Sequence, residues 1–407
     1  ALYEEAAADA QWGVAASNAL ATVLLEEGNG DEAISVLRAG LAKHPNHLTL
    51  VDTAARAHIT EAQLAEAEKV TSAALAAFDG EGWAHGSHAR VLLAKGDSNA
   101  ALSALDRAVE LSPGDATLYA LRGDAARAVG SRDAAKASYE KALQLDSAEP
   151  RALSGFVALL IDVEDFPRAG EVIAQMDKAK VRDLRADGQR VRYLVRTGAG
   201  QSGVPSMRDA VNRHKNNAAL RLAGARVYLQ AEDYTRAATY FQQAKRSGAD
   251  VRLAETALAL AQLYGRRKLG AENSLERALE AVDAEGKPLK AGPQVQVWEL
   301  IVKARLALAD EKRGLAVRYA KQAMQILPND ADIHVLQADI EEDRERTPEV
   351  PLRKAATVPV PMPVAAGRLA VVLGPTEEGC EMAARYLKAN RSGKYAGRAR
   401  DVKRQCQ

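Results

Sequence analysis

Cys380 and Cys406, the only cysteines of the chain, are the residues best placed to form a covalent bond. Both stand 13 residues from Gly393. An antiparallel helical hairpin turning there would set the start of one helix beside the end of the other, so a disulfide is geometrically reasonable. Closing a loop of this size would stabilise by about 3 kcal/mol in the chain-entropy model. A bridge would also imply export to an oxidising compartment, whereas two reduced thiols would fit the cytosol. The histidines pair as His44 with His47 and His85 with His88, and the second pair has the helical spacing of two metal ligands. With no cysteine or convincing carboxylate beside them they read as packing residues, and no metal is expected. Gly198 to Gly203 matches the glycine pattern of dinucleotide binding, but no alternation of strand and helix surrounds it and no acidic residue lies suitably downstream. There is no nucleophile elbow, no glycine-lysine phosphate loop and no His-Glu-x-x-His motif. The sequence therefore points away from catalysis, and no cofactor is expected.

The elements that hold these residues follow a period. Ala33, Ala67, Ala101, Ala135, Ala169, Gly203 and Ala237 are spaced 34 apart and all are small. Gly40, Ala74, Ala108, Ala142, Ala210 and Ala244 run parallel seven residues later, interrupted by Met176. Between the tracks lie the bulky Leu37, Leu105, Tyr139, Ile173, Met207 and Phe241, with Thr71 the exception. Three tracks in one phase are a repeat. Small residues seven apart lie on one helical face and let backbones approach, while the bulky residue fills the groove. Each unit reads as a pair of helices whose apolar face is buried only by stacking. Gly28, Gly96, Gly130 and Gly198 suit left-handed caps between the two helices, and Pro45 and Pro113 stop second helices.

On Gly123, Gly130, Ala135, Tyr139 and Ala142, on Gly96, Ala101, Ala108 and Pro113, and on Gly28, Ala33 and Pro45, the chain resembles the tetratricopeptide repeat family. The resemblance runs from about residue 14 to 249 and returns at Ala316, Ala323 and Pro328, with a degenerate unit between Gly188 and Lys215. It implies an all-α fold, a right-handed superhelical solenoid of antiparallel helix pairs, and binding of protein segments on the concave side. First-helix positions carried over from the family put Arg56, Arg90, Arg127, Arg192, Arg196 and Arg226 on or near that inner surface. Guanidinium forks pair with carboxylates, so an acidic segment is one expected ligand and a merely solvated face is the alternative. The family's carboxylate-clamping Lys and Asn are replaced by Asn18 and Thr22, which argues against chaperone C-terminal peptides.

Ala1 to Gln11 fits a second helix of an earlier unit, or a capping helix. The second helix of the unit starting at Arg252 reads as Asn273 to Val282, out of register. The solenoid is expected over 1–346. A proline-rich, extended linker follows over 347–368, carrying Pro348, Pro351, Pro359, Pro361 and Pro363. Leu369 to Leu373 reads as a short extended piece, and 369–407 as a small, disulfide-closed helical hairpin whose core is separate from the solenoid. At 47% hydrophobic but 4% aromatic content, the core must be built from Ala, Leu and Val, which suits close-packed helices. Formal net charge is +1, so no bulk field draws nucleic acid or membrane, and no apolar run is long enough to cross a bilayer. The tail after Leu352 is basic, yet Tyr386 and Tyr395 are its only aromatics, which argues against nucleic acid. The expected function is a non-catalytic scaffold or adaptor for protein partners, exported to a bacterial cell envelope and with no small-molecule substrate. The alternative is a cytosolic adaptor whose basic tail touches nucleic acid or anionic lipid.

Overall fold

The computed structural model describes residues 13–358 and 362–406. The readings for Ala1 to Gln11, and for Pro359 and Pro361, lie outside them. The described residues are helical throughout, and their only β pairing is an isolated bridge between Val282 and Pro288. The chain divides into two compact units at Val181 and Arg182, not after residue 346.

The first unit is a row of helical hairpins: α1 (Gly13–Glu27) with α2 (Gly30–Lys43), α3 (Leu48–Thr60) with α4 (Leu64–Ala77), α5 (Gly82–Lys95) with α6 (Ser98–Leu111), α7 (Ala116–Ala128) with α8 (Arg132–Leu145), and α9 (Pro150–Asp162) with α10 (Phe166–Lys178). Gly28, Gly96 and Gly130 take the left-handed conformation between paired helices, with φ of 84°, 83° and 81°. Asp97, Asp115 and Asp165 accept backbone N–H bonds at helix starts, satisfying donors that have no intrahelical partner. Ala33, Ala67, Ala101, Ala135 and Ala169 are fully buried, as the period requires. The fully buried Tyr139 ring shows why the partners must be small. A Cβ on Gly123 of α7 or on Gly155 of α9 would sit 2.5 Å from that ring, and the Tyr139 hydroxyl donates to Asp124 at 2.7 Å. One side chain thereby ties α8 to the first helices of its own hairpin and the next.

The second unit continues with α11 (Leu184–Thr197), a 3₁₀ turn (Gly200–Gly203) and α12 (Val204–Arg213), then α13 (Ala218–Gln230) with α14 (Tyr234–Arg246), α15 (Val251–Tyr264) with α16 (Lys268–Leu279), and α17 (Pro293–Ala309) with α18 (Arg313–Ile326). Gly198 to Gly203, the stretch that mimicked a dinucleotide loop, is a helix cap followed by the 3₁₀ turn. The expected break of register after Arg252 is not found. Helix α16 starts at Lys268, five residues before Asn273, and its buried Ala271, Leu275 and Ala278 keep the 34-residue phase. The shift comes afterwards, in the loop before α17.

From there the structure departs from the expected linker and hairpin. The chain stays helical as α19 (Ala331–Asp343), α20 (Glu349–Thr357), α21 (Pro363–Leu373), α22 (Glu377–Ala389) and α23 (Ala396–Gln405). Pro348 precedes α20, Pro351 lies in its first turn, and Pro363 opens α21. First-turn N–H groups lack an intrahelical acceptor, so proline there starts a helix instead of breaking one. Leu369 to Leu373 is the last part of α21, not an extended piece. Nor is the tail core separate: Ala331, Val335 and Ala338 of α19 form one apolar cluster with Leu352, Leu369, Met382, Tyr386 and Val402. A segment this short buries too little surface to hold a core of its own. Cys380 and Cys406 are joined as a disulfide with Cα atoms 6.0 Å apart, fastening the end of α23 to the start of α22.

The tail also reaches back to the start of its unit. Asn390, fully buried at the end of α22, accepts from the Gln201 backbone N–H at 2.9 Å, and its amide donates to the Gln230 carbonyl at 2.8 Å. Glu232, between α13 and α14, accepts from the Tyr386 hydroxyl at 2.7 Å, the Lys394 N–H at 2.9 Å and the Asn390 amide at 3.2 Å. Glu232 has φ of 60°, in the region that Gly28, Gly96 and Gly130 occupy in other hairpins. A non-glycine residue is strained there, and Ala62, Glu164, Arg266 and Glu311 take the same conformation between their paired helices.

Gly155→Ala should lower the stability of the first unit by about 1–3 kcal/mol, the ordinary cost of overpacking, as read by chemical denaturation. An unchanged midpoint would remove Tyr139 as the interlock. Glu232→Gly relieves the backbone but deletes the anchor. It should therefore lower the melting transition of the second unit, while a raised transition would show that the strain outweighs the tail contacts.

Candidate protein-binding surface

Along the first helices of the first unit runs a row of polar side chains that bond one hairpin to the next. Thr53 of α3 donates to Asn18 of α1 at 2.5 Å. Asp52 of α3 receives Ser87 and Arg90 of α5, the latter as an ion pair at 3.0 Å. Arg151 of α9 pairs with Asp124 of α7 at 2.8 Å, and Arg127 of α7 with Asp162 of α9 at 3.2 Å. Between α5 and α7 the row is broken by Leu118, which fills the space that a side chain on Gly86 would take. These ion pairs are only partly buried, where pairing fixes geometry more than it adds stability. Arg56 of α3 is exposed and forms no ion pair among the described residues.

The six arginines singled out by the repeat phase all lie on first helices, three in each unit. Arg56, Arg90 and Arg127 belong to the first unit, and two of the three are neutralised by aspartates. Arg192 and Arg196 of α11 and Arg226 of α13 belong to the second, where Arg192 and Arg196 each have a partner in the chain. His85 and His88 are not brought together as ligands. His85 bonds the Asp79 carbonyl at 2.7 Å and His88 the Thr71 hydroxyl at 3.3 Å, and burial lowers the His88 pKa.

In the second unit the same face is filled by charge and by the tail. Arg305 of α17 lies 4.7 Å from the Tyr264 ring centroid and pairs with Asp339 of α19. Arg368 of α21, nearly buried, pairs with Asp339 at 2.8 Å and Glu342 at 2.7 Å. A cavity of about 330 Å³ lies beside this network, lined by Arg226, Leu229, Trp298, Leu327, Asp330 and Asp332, with Met362 from the tail. The Arg226 guanidinium stacks 5.3 Å from the centre of the Trp298 ring and makes no hydrogen bond or ion pair among the described residues. Burial lowers its pKa against the pull of Asp332 and Asp330. Asp330 caps α19 and accepts from the Gln294 amide at 2.9 Å, while Asp332 accepts from the Tyr264 hydroxyl at 2.8 Å. Burial, and then the Asp330 carboxylate, push Asp332 up to about 6.

Stacked helical hairpins that line one face with first-helix side chains define a helical-repeat protein of the interaction class. Residues 116–149 and residues 189–251 each match a model of the tetratricopeptide repeat, so the chain carries repeats of that family. No curated protein matches it. Among solved structures, a monomeric mutant of human IFIT1 with m7Gppp-AAAA is similar over 93% of this chain and 91% of its own, at 14% identity and a TM-score of 0.51. A tetratricopeptide repeat protein from Parabacteroides merdae is 16% identical, covering 61% of this chain and 98% of its own, with a TM-score of 0.44. YrrB, a tetratricopeptide repeat protein with an unusual peptide-binding site, is 20% identical over 44% of this chain and 92% of its own, with a TM-score of 0.39. At such identities the likeness speaks to fold alone. Tetratricopeptide repeats make the chain a protein-interaction scaffold. No helix among the described residues is long and apolar enough to cross a membrane.

The acids of the polar row were missed in the sequence, although their signal was present. Asn18 with Thr53, Asp52 with Ser87 and Arg127 with Asp162 are all 35 residues apart, one repeat and one step along the helix. The group at Arg305, Asp339 and Arg368 carries no such signal, because Arg368 comes from the tail.

Asp332 gives a pH dependence whose sign is fixed. Its folded pKa is raised, so the folded state holds a proton that the unfolded state has released, and stability falls as pH rises from about 4 to about 6. Asp187 and Glu255, whose cationic partners lower their pKa against burial, lose their contribution only at lower pH. Asp332→Asn should flatten the fall, which is on the order of 1–2 kcal/mol, in denaturation of the full chain at pH 4 and 6. A slope unchanged in the variant would place the titration elsewhere.

Proposed function

We propose that the chain is a non-catalytic adaptor whose first unit receives an extended protein segment along α1, α3, α5, α7 and α9. The carrying observation is the row of bonded polar side chains across those first helices, from Asn18 to Asp162. Among the described residues of that unit no element of its own lies over the row, whereas the second unit packs its tail on its first helices. Pairing holds Arg90, Arg127 and Arg151 in fixed positions, so a segment meets ordered donors and acceptors at reduced entropic cost. Exposed Arg56 adds the net positive charge that favours an acidic stretch in the partner. We place the protein in an oxidising compartment, the bacterial cell envelope. That reading rests on the Cys380–Cys406 bridge alone. A second reading has one observation behind it: α23 exposes Arg398, Arg400, Lys403 and Arg404, a basic edge suited to nucleic acid or anionic lipid.

The test is a photocrosslinking residue placed at Arg56, at Arg90, or at Lys136 on second helix α8, in cells of the native organism. A shared protein adduct is expected from the first two positions and not from Lys136. Arg56→Glu should slow capture of that partner about ten-fold at low salt. Adducts from Lys136 alone would move the binding surface to the second helices.

A further inference from the structure

The cavity beside α13 holds opposite charges that do not neutralise each other. Arg226 leans on Trp298 without any hydrogen bond or ion pair among the described residues. Across the same space Asp332 has one bond, from Tyr264, while Asp330 is committed to the α19 cap and to Gln294. Neither Arg226 nor Asp332 has a counter-charge at contact distance among the described residues, and burial disfavours the charged form of each. An anion alone would meet the two aspartates, and a cation alone would meet Arg226 with Arg196 behind it. A molecule with both charges would relieve both groups. The remaining walls, Leu229, Leu327, Met362 and the Trp298 face, ask for an apolar body. The volume of about 330 Å³ lies at the small end of ligand sites, the size of one amino acid with room for water.

We propose that this cavity binds a small zwitterion with an apolar body, of the class of free aliphatic α-amino acids. The carboxylate meets the Arg226 guanidinium, the ammonium meets Asp332, and the side chain lies against Leu229, Leu327 and Met362. No bond is made or broken. The site belongs to the second unit and goes beyond the adaptor reading, whose crosslinking test concerns the first, so either can fail without the other.

Calorimetric titration of the full oxidised chain at pH 7 tests it with L-leucine, N-acetyl-L-leucine, which lacks the ammonium, and L-leucinamide, which lacks the carboxylate. Saturable binding of leucine is expected, with both derivatives weaker by about ten-fold or more, the loss of one charged contact. Arg226→Met, which keeps apolar bulk over Trp298, should lose leucine binding while its far-ultraviolet circular dichroism stays that of the parent. Should that variant misfold, the three compounds on the parent chain still decide. No saturable binding of leucine, equal binding of either derivative, or retained leucine binding in folded Arg226→Met would overturn the proposal.

Discussion

The constraint on which each unit depends is how closely helix backbones must approach. With 4% aromatic content there are few large side chains to span wide gaps, so the helices pack at short range through alanine and glycine. Tyr139 is the instructive case. Its ring is fully buried because Gly123 and Gly155 leave space, and its hydroxyl reaches Asp124 because the ring is held there. The same relation returns at Gly367 and Tyr386 in the tail, where a Cβ would come within 2.8 Å of the ring. Tyr386 then places its hydroxyl on Glu232, as Tyr139 places its own on Asp124. A bulky ring over a glycine fixes the helices, and its polar tip selects the next contact.

That spacing sets the electrostatics of the first helices. Neighbouring first helices lie near enough for residues one repeat and one step apart to bond, which turns scattered charges into a row. In the first unit the row is nearly neutral and partly exposed, so it offers fixed polarity without a strong field. In the second unit the corresponding face is closed by Arg368 and the tail, and charge is buried instead of displayed. Buried pairs of this kind contribute less to stability than to fixing one arrangement, because desolvation opposes the Coulomb attraction. Arg226 and Asp332 mark the point in that network where pairing is incomplete.

The solenoid was legible in the sequence because its signal is periodic and therefore redundant. Losing one position, as at Thr71, leaves the phase standing. Yet the same signal was dropped at Ala271, Leu275 and Ala278, which stay in phase, because the loop that follows displaces the next hairpin. The tail was misread for a different reason. Prolines were weighed by number, whereas their effect depends on whether the N–H they remove had a partner, and in α20 and α21 it had none. Among the site residues, the helix that carries each arginine followed from the repeat. Which aspartate would neutralise it did not, since that depends on contacts between hairpins.

The degenerate unit between Gly188 and Lys215 draws these strands together. Judged by the repeat alone it is a weak copy, with a shortened second helix and glycines at Gly198, Gly200 and Gly203. In the structure that weakness makes room for the tail. A Cβ on Gly200 would fall 2.4 Å from the Asn390 side chain, whose oxygen accepts from the N–H of Gln201. One hairpin later, the left-handed position is filled by Glu232, whose carboxylate holds the tail from the other side. Departure from the pattern, by glycine at Gly200 where bulk would collide, thus coincides with the docking of α22. The disulfide between Cys380 and Cys406 then acts on the docked helix: by fixing α23 to α22 it keeps Tyr395 beside Tyr386, and the Tyr386 hydroxyl between the Tyr395 N–H and Glu232. The bridge supports the contact that closes the second unit, so a covalent bond near the end of the chain bears on the hairpins with which that unit begins.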